Sequence, residues 1–166
     1  MKKISACIVS YNGADEVIRA VESLLEHTTG CDLRIYLVDN ASPDGTGKQL
    51  ADYPFDQRVQ VICLPKNLGF GPGHNQVLPL LDSDYHFVLN PDIFVDSNVL
   101  PQMCQWMDEH PQVVMATPKL LFPDGRVQVL PTDGAGCCRA LLTAQAPAKR
   151  LAGLAARLCK RKPKGE

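Results

Sequence analysis

None of the seven cysteines in this 166-residue chain forms a C-x-x-C pair. That absence excludes a zinc ribbon and a thioredoxin-type redox site. The odd count and wide spacing also speak against a disulfide-stapled scaffold, and a reducing cytoplasm is the expected compartment. No apolar run approaches the roughly 18 residues of a membrane span. The N-terminal run turns polar at Ser10-Tyr11-Asn12-Gly13, so it reads as a strand and not as a signal peptide. Net charge is scarce, at −1, which argues against a nucleic-acid partner.

What is present is ordinary globular composition, with 45 % hydrophobic and 21 % charged residues. The length predicts one domain, or one domain with a tail. Charge is uneven: residues 149–166 hold seven Lys/Arg, which leaves an acidic body of 17 acids and ten bases.

Short apolar runs at Ile4–Ser10, Leu33–Val38, Val59–Leu64, Tyr85–Leu89 and Val113–Pro118 predict strands. Helical spacing predicts helices at Ala14–His27, Gly47–Asp52, His74–Leu81 and Asn98–His110. Leu120–Leu130 reads as a hairpin around Pro123-Asp124-Gly125, and Ala148–Cys159 as a helix. Cys7 and Cys63, inside apolar runs, read as small core residues. Alternating strands and helices predict an α/β fold with a mainly parallel sheet covered on both faces.

Polar clusters fall at the carboxyl ends of the predicted strands: Ser10-Tyr11-Asn12, Asp39-Asn40, Asn67 and Asn90-Pro91-Asp92. In an open α/β sheet that end is where ligands bind. A rim carboxylate such as Asp39 accepts hydrogen bonds from a ribose hydroxyl or a base N–H, but it also suits a cap or turn. Asp44, in Ser-Pro-Asp-Gly, reads as a turn residue. Asp92 suits either a turn or a divalent cation. Gly69-Phe70-Gly71-Pro72-Gly73 fits neither a dinucleotide fingerprint nor a P-loop, because the spacing is wrong and no G-K-[ST] follows. Its glycines suit a close backbone approach to a ligand or a plain loop. His74 and His110 receive no catalytic role, and His110-Pro111 reads as a helix end.

Taken in order, these clusters resemble the inverting glycosyltransferases of family 2. The residues that carry the resemblance are Ile8-Val9-Ser10-Tyr11-Asn12, Val38-Asp39-Asn40-Ala41-Ser42-Pro43-Asp44-Gly45-Thr46, Asn67-Leu68-Gly69-Phe70-Gly71 with Asn75, and Leu89-Asn90-Pro91-Asp92. Pro118-Lys119-Leu120 with Asp124-Gly125 and Gln128 extends it, and the look is nearest to the rhamnosyltransferase-like branch. The resemblance implies a GT-A-type, Rossmann-like three-layer sandwich. Residues 1–131 would be the nucleotide-sugar-binding donor half, apparently truncated at its C-terminus. A basic, partly helical tail would follow over 132–166.

The resemblance also implies a UDP- or dTDP-linked sugar donor and a saccharide or lipid-linked acceptor in cell-surface polysaccharide synthesis. Asp39 would face the base, and Ser10, Tyr11 and Asn12 would line the nucleotide pocket. Asn40, Asn67, Gly69, Phe70, Gly71, Asn75 and Asn90 would complete the donor site. Asp92 matches the last acid of the family's D-x-D motif and would hold Mg²⁺ or Mn²⁺, with Asn90 in place of the first acid. The family's general base has no counterpart, since after Gln128 the only acids are Asp133 and Glu166. The rival expectations are a non-catalytic nucleotide-sugar-binding module completed by a partner chain, and a nucleotidyltransferase. The latter lacks its basic glycine-rich loop, because Asp15 and Glu16 follow the first strand. Residues 149–164 alternate basic and small apolar side chains and suggest contact with an anionic membrane face.

Overall fold

The computed structural model describes residues 1–122 and 125–127. Four strands, β1 (Lys3–Ser10), β2 (Asp32–Asp39), β3 (Val59–Cys63) and β4 (Tyr85–Leu89), form one parallel sheet in the order β3-β2-β1-β4. Four helices accompany them: α1 (Ala14–His27), α2 (Thr46–Asp52), α3 (Phe70–Asn75) and α4 (Val99–Glu109). A 3-10 turn at Leu78–Leu80 links α3 to β4.

The strand alternation explains the layers. Ile4, Ala6 and Ile8 of β1, with Leu33, Ile35 and Leu37 of β2 and Tyr85 and Phe87 of β4, face one side. There they meet Val17, Ala20, Val21 and Leu24 of α1, Leu50 of α2, and Leu100, Cys104 and Met107 of α4. The α1 set recurs at the i, i+3, i+4, i+7 spacing of one helix face, and Asp15 and Glu16 sit at its positive dipole end. Full burial of each such Val or Leu contributes about 1.5–3 kcal/mol. Cys7 and Val9 of β1 and Tyr36 and Val38 of β2 face the other side, under Val77 and Leu81. The sheet is therefore the middle of three layers. A polar tie supports α4: Asp108 accepts from Lys2 Nζ at 2.8 Å and from Tyr85 Oη at 2.6 Å.

Four expectations change. The third helix starts at Phe70 and not at His74. Gly69, at φ +83°, turns the chain into it, and Pro72 falls in the first turn, where its missing N–H costs nothing. Gly73 then packs so closely on β1 that a Cβ would lie 2.9 Å from Val9 Cγ1. The predicted strand at Val113–Pro118 is irregular chain, and the hairpin reduces to one antiparallel bridge, Leu121 to Val127. Cys7 is buried, but Cys63 is exposed at the end of edge strand β3. Asp124, Gln128 and the whole tail, including the helix at 148–159, lie outside the described residues.

Candidate nucleotide-sugar site

The order β3-β2-β1-β4 sets the location. The chain winds outward from β1 to β2 to β3, then crosses back to place β4 on the other side of β1. The carboxyl ends of β1 and β4 therefore flank the point where the winding reverses, the position at which open α/β sheets bind ligands. Ser10 stands opposite Asp39, and Leu89 opposite Ile8, so Ser10-Tyr11-Asn12, Asp39-Asn40 and Asn90-Pro91-Asp92 all emerge at one edge of the sheet.

Two side-chain clamps shape that edge. In the first, Asp39 is 3 % exposed and its carboxylate caps the turn that follows β2. Ser42 N–H donates to Asp39 Oδ2 at 3.2 Å, and the Ser42 hydroxyl donates to Oδ1. The same Ser42 Oγ accepts from the backbone N–H of Asn12 at 2.8 Å, so one hydroxyl ties the β1 loop to the β2 loop. Asn12 itself holds φ +68°, a left-handed conformation that asparagine tolerates better than most side chains. Gly47, at the start of α2, lies against the carboxylate, and a Cβ there would come 2.5 Å from Asp39 Oδ2.

The second clamp is Asn40. Its backbone N–H donates to the Ser10 carbonyl at 2.9 Å. Its Nδ2 donates to Asn67 Oδ1 at 2.9 Å, and its Oδ1 accepts from Leu68 N–H at 2.8 Å. Asn67 Oδ1 also accepts from Gly69 N–H at 2.8 Å. The buried Asn40 thus fixes the loop that launches α3. Phe70 is exposed on the first turn of that helix, Gly71 is partly buried beside it, and Asn75 is partly buried at its last position.

The structure therefore brings Ser10, Asn12, Asp39, Asn40, Asn67 and Gly69 into one hydrogen-bonded assembly. Tyr11, 51 % exposed, projects at its mouth. Asn90 and Asp92 approach from the β4 side, both exposed, and no contact joins them to the clamps. Asp44 is the turn residue that its sequence context implied. Its carboxylate accepts from Thr46 N–H at 3.0 Å and from Gly13 N–H at 3.3 Å, and the Thr46 bonds hold it below the usual carboxylate range. Sequence reasoning missed Ser42 and Gly47 as supports of Asp39. The three-residue step from Asp39 to Ser42 was the available signal for the first. Nothing in the sequence marks Gly47, whose role depends on how α2 packs.

Asp92 and Asn90 suit a hard divalent cation. Both offer oxygen, both are exposed, and neither carboxylate nor amide is committed to another described group. Among the described residues no cluster of three His, Cys, Asp or Glu side chains could hold a metal by itself. A cation here would need ligand oxygens to complete its shell, the usual arrangement for Mg²⁺ shared with phosphates. A cleft of about 450 Å³ between the first turns of α1 and α2 adjoins the assembly through Gly13 and Asp44, but Asp15 and Glu16 make it a poor place for phosphate.

A parallel sheet with this winding, covered on both faces, defines an open three-layer α/β domain with a polar rim at the carboxyl ends of its strands. Residues 5–145 match the family described as glycosyl transferase family 2, and the chain belongs to that family. It is 31 % identical over 105 residues to the succinoglycan biosynthesis protein ExoO of Rhizobium meliloti, covering 63 % of this chain and 30 % of the relative. The mannosyltransferase PcManGT of Pyrobaculum calidifontis, solved with GDP-Man and Mn²⁺, superposes with a TM-score of 0.63 at 19 % identity, over 74 % of this chain and 36 % of that one. TarS 1–349 of S. aureus in complex with UDP gives a TM-score of 0.57 at 22 % identity, over 65 % and 32 %. These likenesses show the fold, which is the GT-A type that the resemblance implied. The chain spans about a third of the length of these relatives.

Proposed function

We propose that the chain binds a nucleoside diphosphate sugar across the carboxyl ends of β1, β2 and β4, and serves its inverting transfer to a saccharide or lipid-linked acceptor in cell-surface polysaccharide synthesis. The observation that carries this reading is the double clamp. Asp39, through Ser42, and Asn40 tie the loops that follow β1, β2 and β3 into one rim beside the point where the sheet reverses its winding. A rigid polar rim of that kind holds a nucleotide without reorganising to meet it.

Each part has a task. Asp39 retains lone pairs beyond those used by Ser42 and can accept from a base N–H at the floor of the pocket. Tyr11 offers an aromatic face at its mouth. The loop fixed by Asn40 presents Gly69, Phe70 and Gly71 toward the sugar end, with Asn75 behind them. Asp92, with Asn90, would hold Mg²⁺ or Mn²⁺, and the cation would neutralise charge on the leaving diphosphate. Related structures support the donor class, since those proteins were solved with UDP, UDP-GlcNAc and GDP-Man. The succinoglycan relative supports the polysaccharide setting.

Transfer also needs a general base for the acceptor hydroxyl. Among the described residues at the rim, Asp39 and Asp44 are engaged in turns and Asp92 is the residue assigned above to the cation. This observation favours a second reading for the chain acting alone: a donor-binding module whose base comes from another segment or a partner chain. Calorimetric titration of UDP-, dTDP- and GDP-sugars with and without Mn²⁺ tests the first reading. Metal-dependent binding that Asp92→Ala abolishes is expected, and a folded chain that binds no nucleotide sugar would overturn it. A transfer assay on the purified chain separates the two readings, because turnover would exclude the module.

A further inference from the structure

His74 and His86 are buried imidazoles that the donor site does not use. His74, on α3, is 6 % exposed, and neither Nδ1 nor Nε2 has a hydrogen-bond partner. Its ring meets Phe70 edge-on, with centroids 4.4 Å apart. His86, on β4, is equally buried, and its Nδ1 is hydrogen-bonded to Ser5 Oγ at 2.8 Å. Ser5 Oγ in turn lies 2.6 Å from Ser83 Oγ. Ser5 stands opposite His86 in register and alternates with Ile4 and Ala6, so this pair is on the face that α3 covers.

The groups facing His74 offer no counter-charge. β1 presents Cys7, whose thiol burial pushes up to about 12, and β2 presents Tyr36, whose phenol burial also pushes up. β4 presents His86, the one charge-bearing group that acts on His74. Neither thiol nor phenol ionises near neutrality, so nothing there compensates a proton. Burial pushes His74 down to about 4, with His86 adding to the effect, and burial does the same to His86. The close seat of Gly73 on Val9 holds α3 tightly against the sheet at the residue next to His74.

We propose that His74 and His86 form a pH-sensitive latch: neutral, they let α3 seat on the sheet, and a proton on either one unseats α3 together with the loop at its start. The sign follows from linkage. Both groups have a seated pKa below the usual 6.5, so the unseated form takes up protons that the seated form refuses. Seating is complete above pH 6.5 and weakens as pH falls toward 4. Between pH 7 and 5 each imidazole shifts the equilibrium toward the unseated form by roughly twentyfold. The consequence for donor binding rests on the function proposed above, because the same loop carries Asn67, Gly69 and Phe70. The latch itself does not.

Hydrogen exchange on the full chain at pH 7 and 5 tests it, with amides of residues 70–77 normalised to those of β1 and β2. Selective opening of 70–77 at pH 5 is expected, and His74→Phe should remove roughly twentyfold of it. Uniform exchange across the fold would overturn the latch. Should the variant fail to fold, an NMR titration of the wild-type imidazoles decides. Rings that stay neutral down to pH 5 support the latch, and titration near 6.5 overturns it. If 70–77 opens with pH while UDP-sugar affinity stays constant, the donor-loop reading falls and the latch stands.

Discussion

Gly47→Ala puts the site's geometry under direct stress. A Cβ at Gly47 would lie 2.5 Å from Asp39 Oδ2 and 3.0 Å from its Cγ, where ordinary contact begins at 3.4 Å. The carboxylate must therefore recede by about 0.9 Å, or α2 must shift by as much. The bond from Ser42 N–H, already 3.2 Å long, would be lost with that displacement. Losing a hydrogen bond to a buried charged group costs about 1.5–3 kcal/mol. Replacing glycine by alanine inside a helix returns up to about 1 kcal/mol, and Gly47 has no left-handed φ to forbid the change. The net expectation is a loss of about 1–2 kcal/mol in urea unfolding. The effect on ligand should be larger than on the fold, since the moved atoms are those meant to meet the base. Affinity for UDP by calorimetry should fall about 10- to 100-fold, the equivalent of one charge-assisted hydrogen bond. Ser42→Ala, which removes one bond without a clash, should give a smaller loss in both assays. An alanine variant more stable than wild type and binding UDP normally would refute the placement of α2 against Asp39.

Asn40→Ala removes the amide that joins Asn67 and Leu68, so unfolding should show a loss of about 1–3 kcal/mol and residues 67–70 should exchange amide hydrogen faster. Gly73→Ala forces a methyl to within 2.9 Å of Val9 Cγ1 and should cost about 1–3 kcal/mol in thermal unfolding. Val9→Ala in the same chain should recover part of that cost. Asp44→Asn tests the turn charge: its lowered pKa means stability present above 3.8 and lost as pH falls below it. The variant should be less stable than wild type at pH 7, and the gap should close in unfolding curves taken below pH 3.8. Asp92→Ala should leave stability within about 0.5 kcal/mol, because the side chain is exposed and uncommitted.

Strong periodicity made most of the scaffold legible. Ala14–His27 and Tyr85–Leu89 appear with the bounds their patterns imply, and the other three strands of the sheet each differ by two residues or fewer. The strands read as near-continuous apolar runs because the sheet is covered on both faces, so successive side chains all enter a core. The failures have a common cause. Phe70-Gly71-Pro72-Gly73 is helical although its composition opposes a helix, because the seat on Val9 selects glycine and Pro72 falls where proline is tolerated. Val113–Pro118 has strand composition but no partner strand among the described residues to complete its hydrogen bonds. At the site, polar residues at strand ends were visible as a set, yet their cross-bonding was not. That Asn40 reaches 27 residues forward to Asn67 depends on β2 and β3 lying side by side. The burial of His74 likewise follows from where α3 lands, which no local pattern encodes.

The strand order also governs how the chain assembles as it is made. β1 gains its first neighbour once residue 39 has emerged, but its other edge stays open until residue 89. At a synthesis rate of about 5–20 residues per second that interval lasts about 3–10 s. Throughout it, the most completely buried strand of the sheet carries a row of unpaired backbone donors and acceptors, the condition that invites chains on one message to pair with each other. Slow codons between positions 39 and 89 would lengthen that exposure, so the yield of soluble chain should depend on how quickly this stretch is translated.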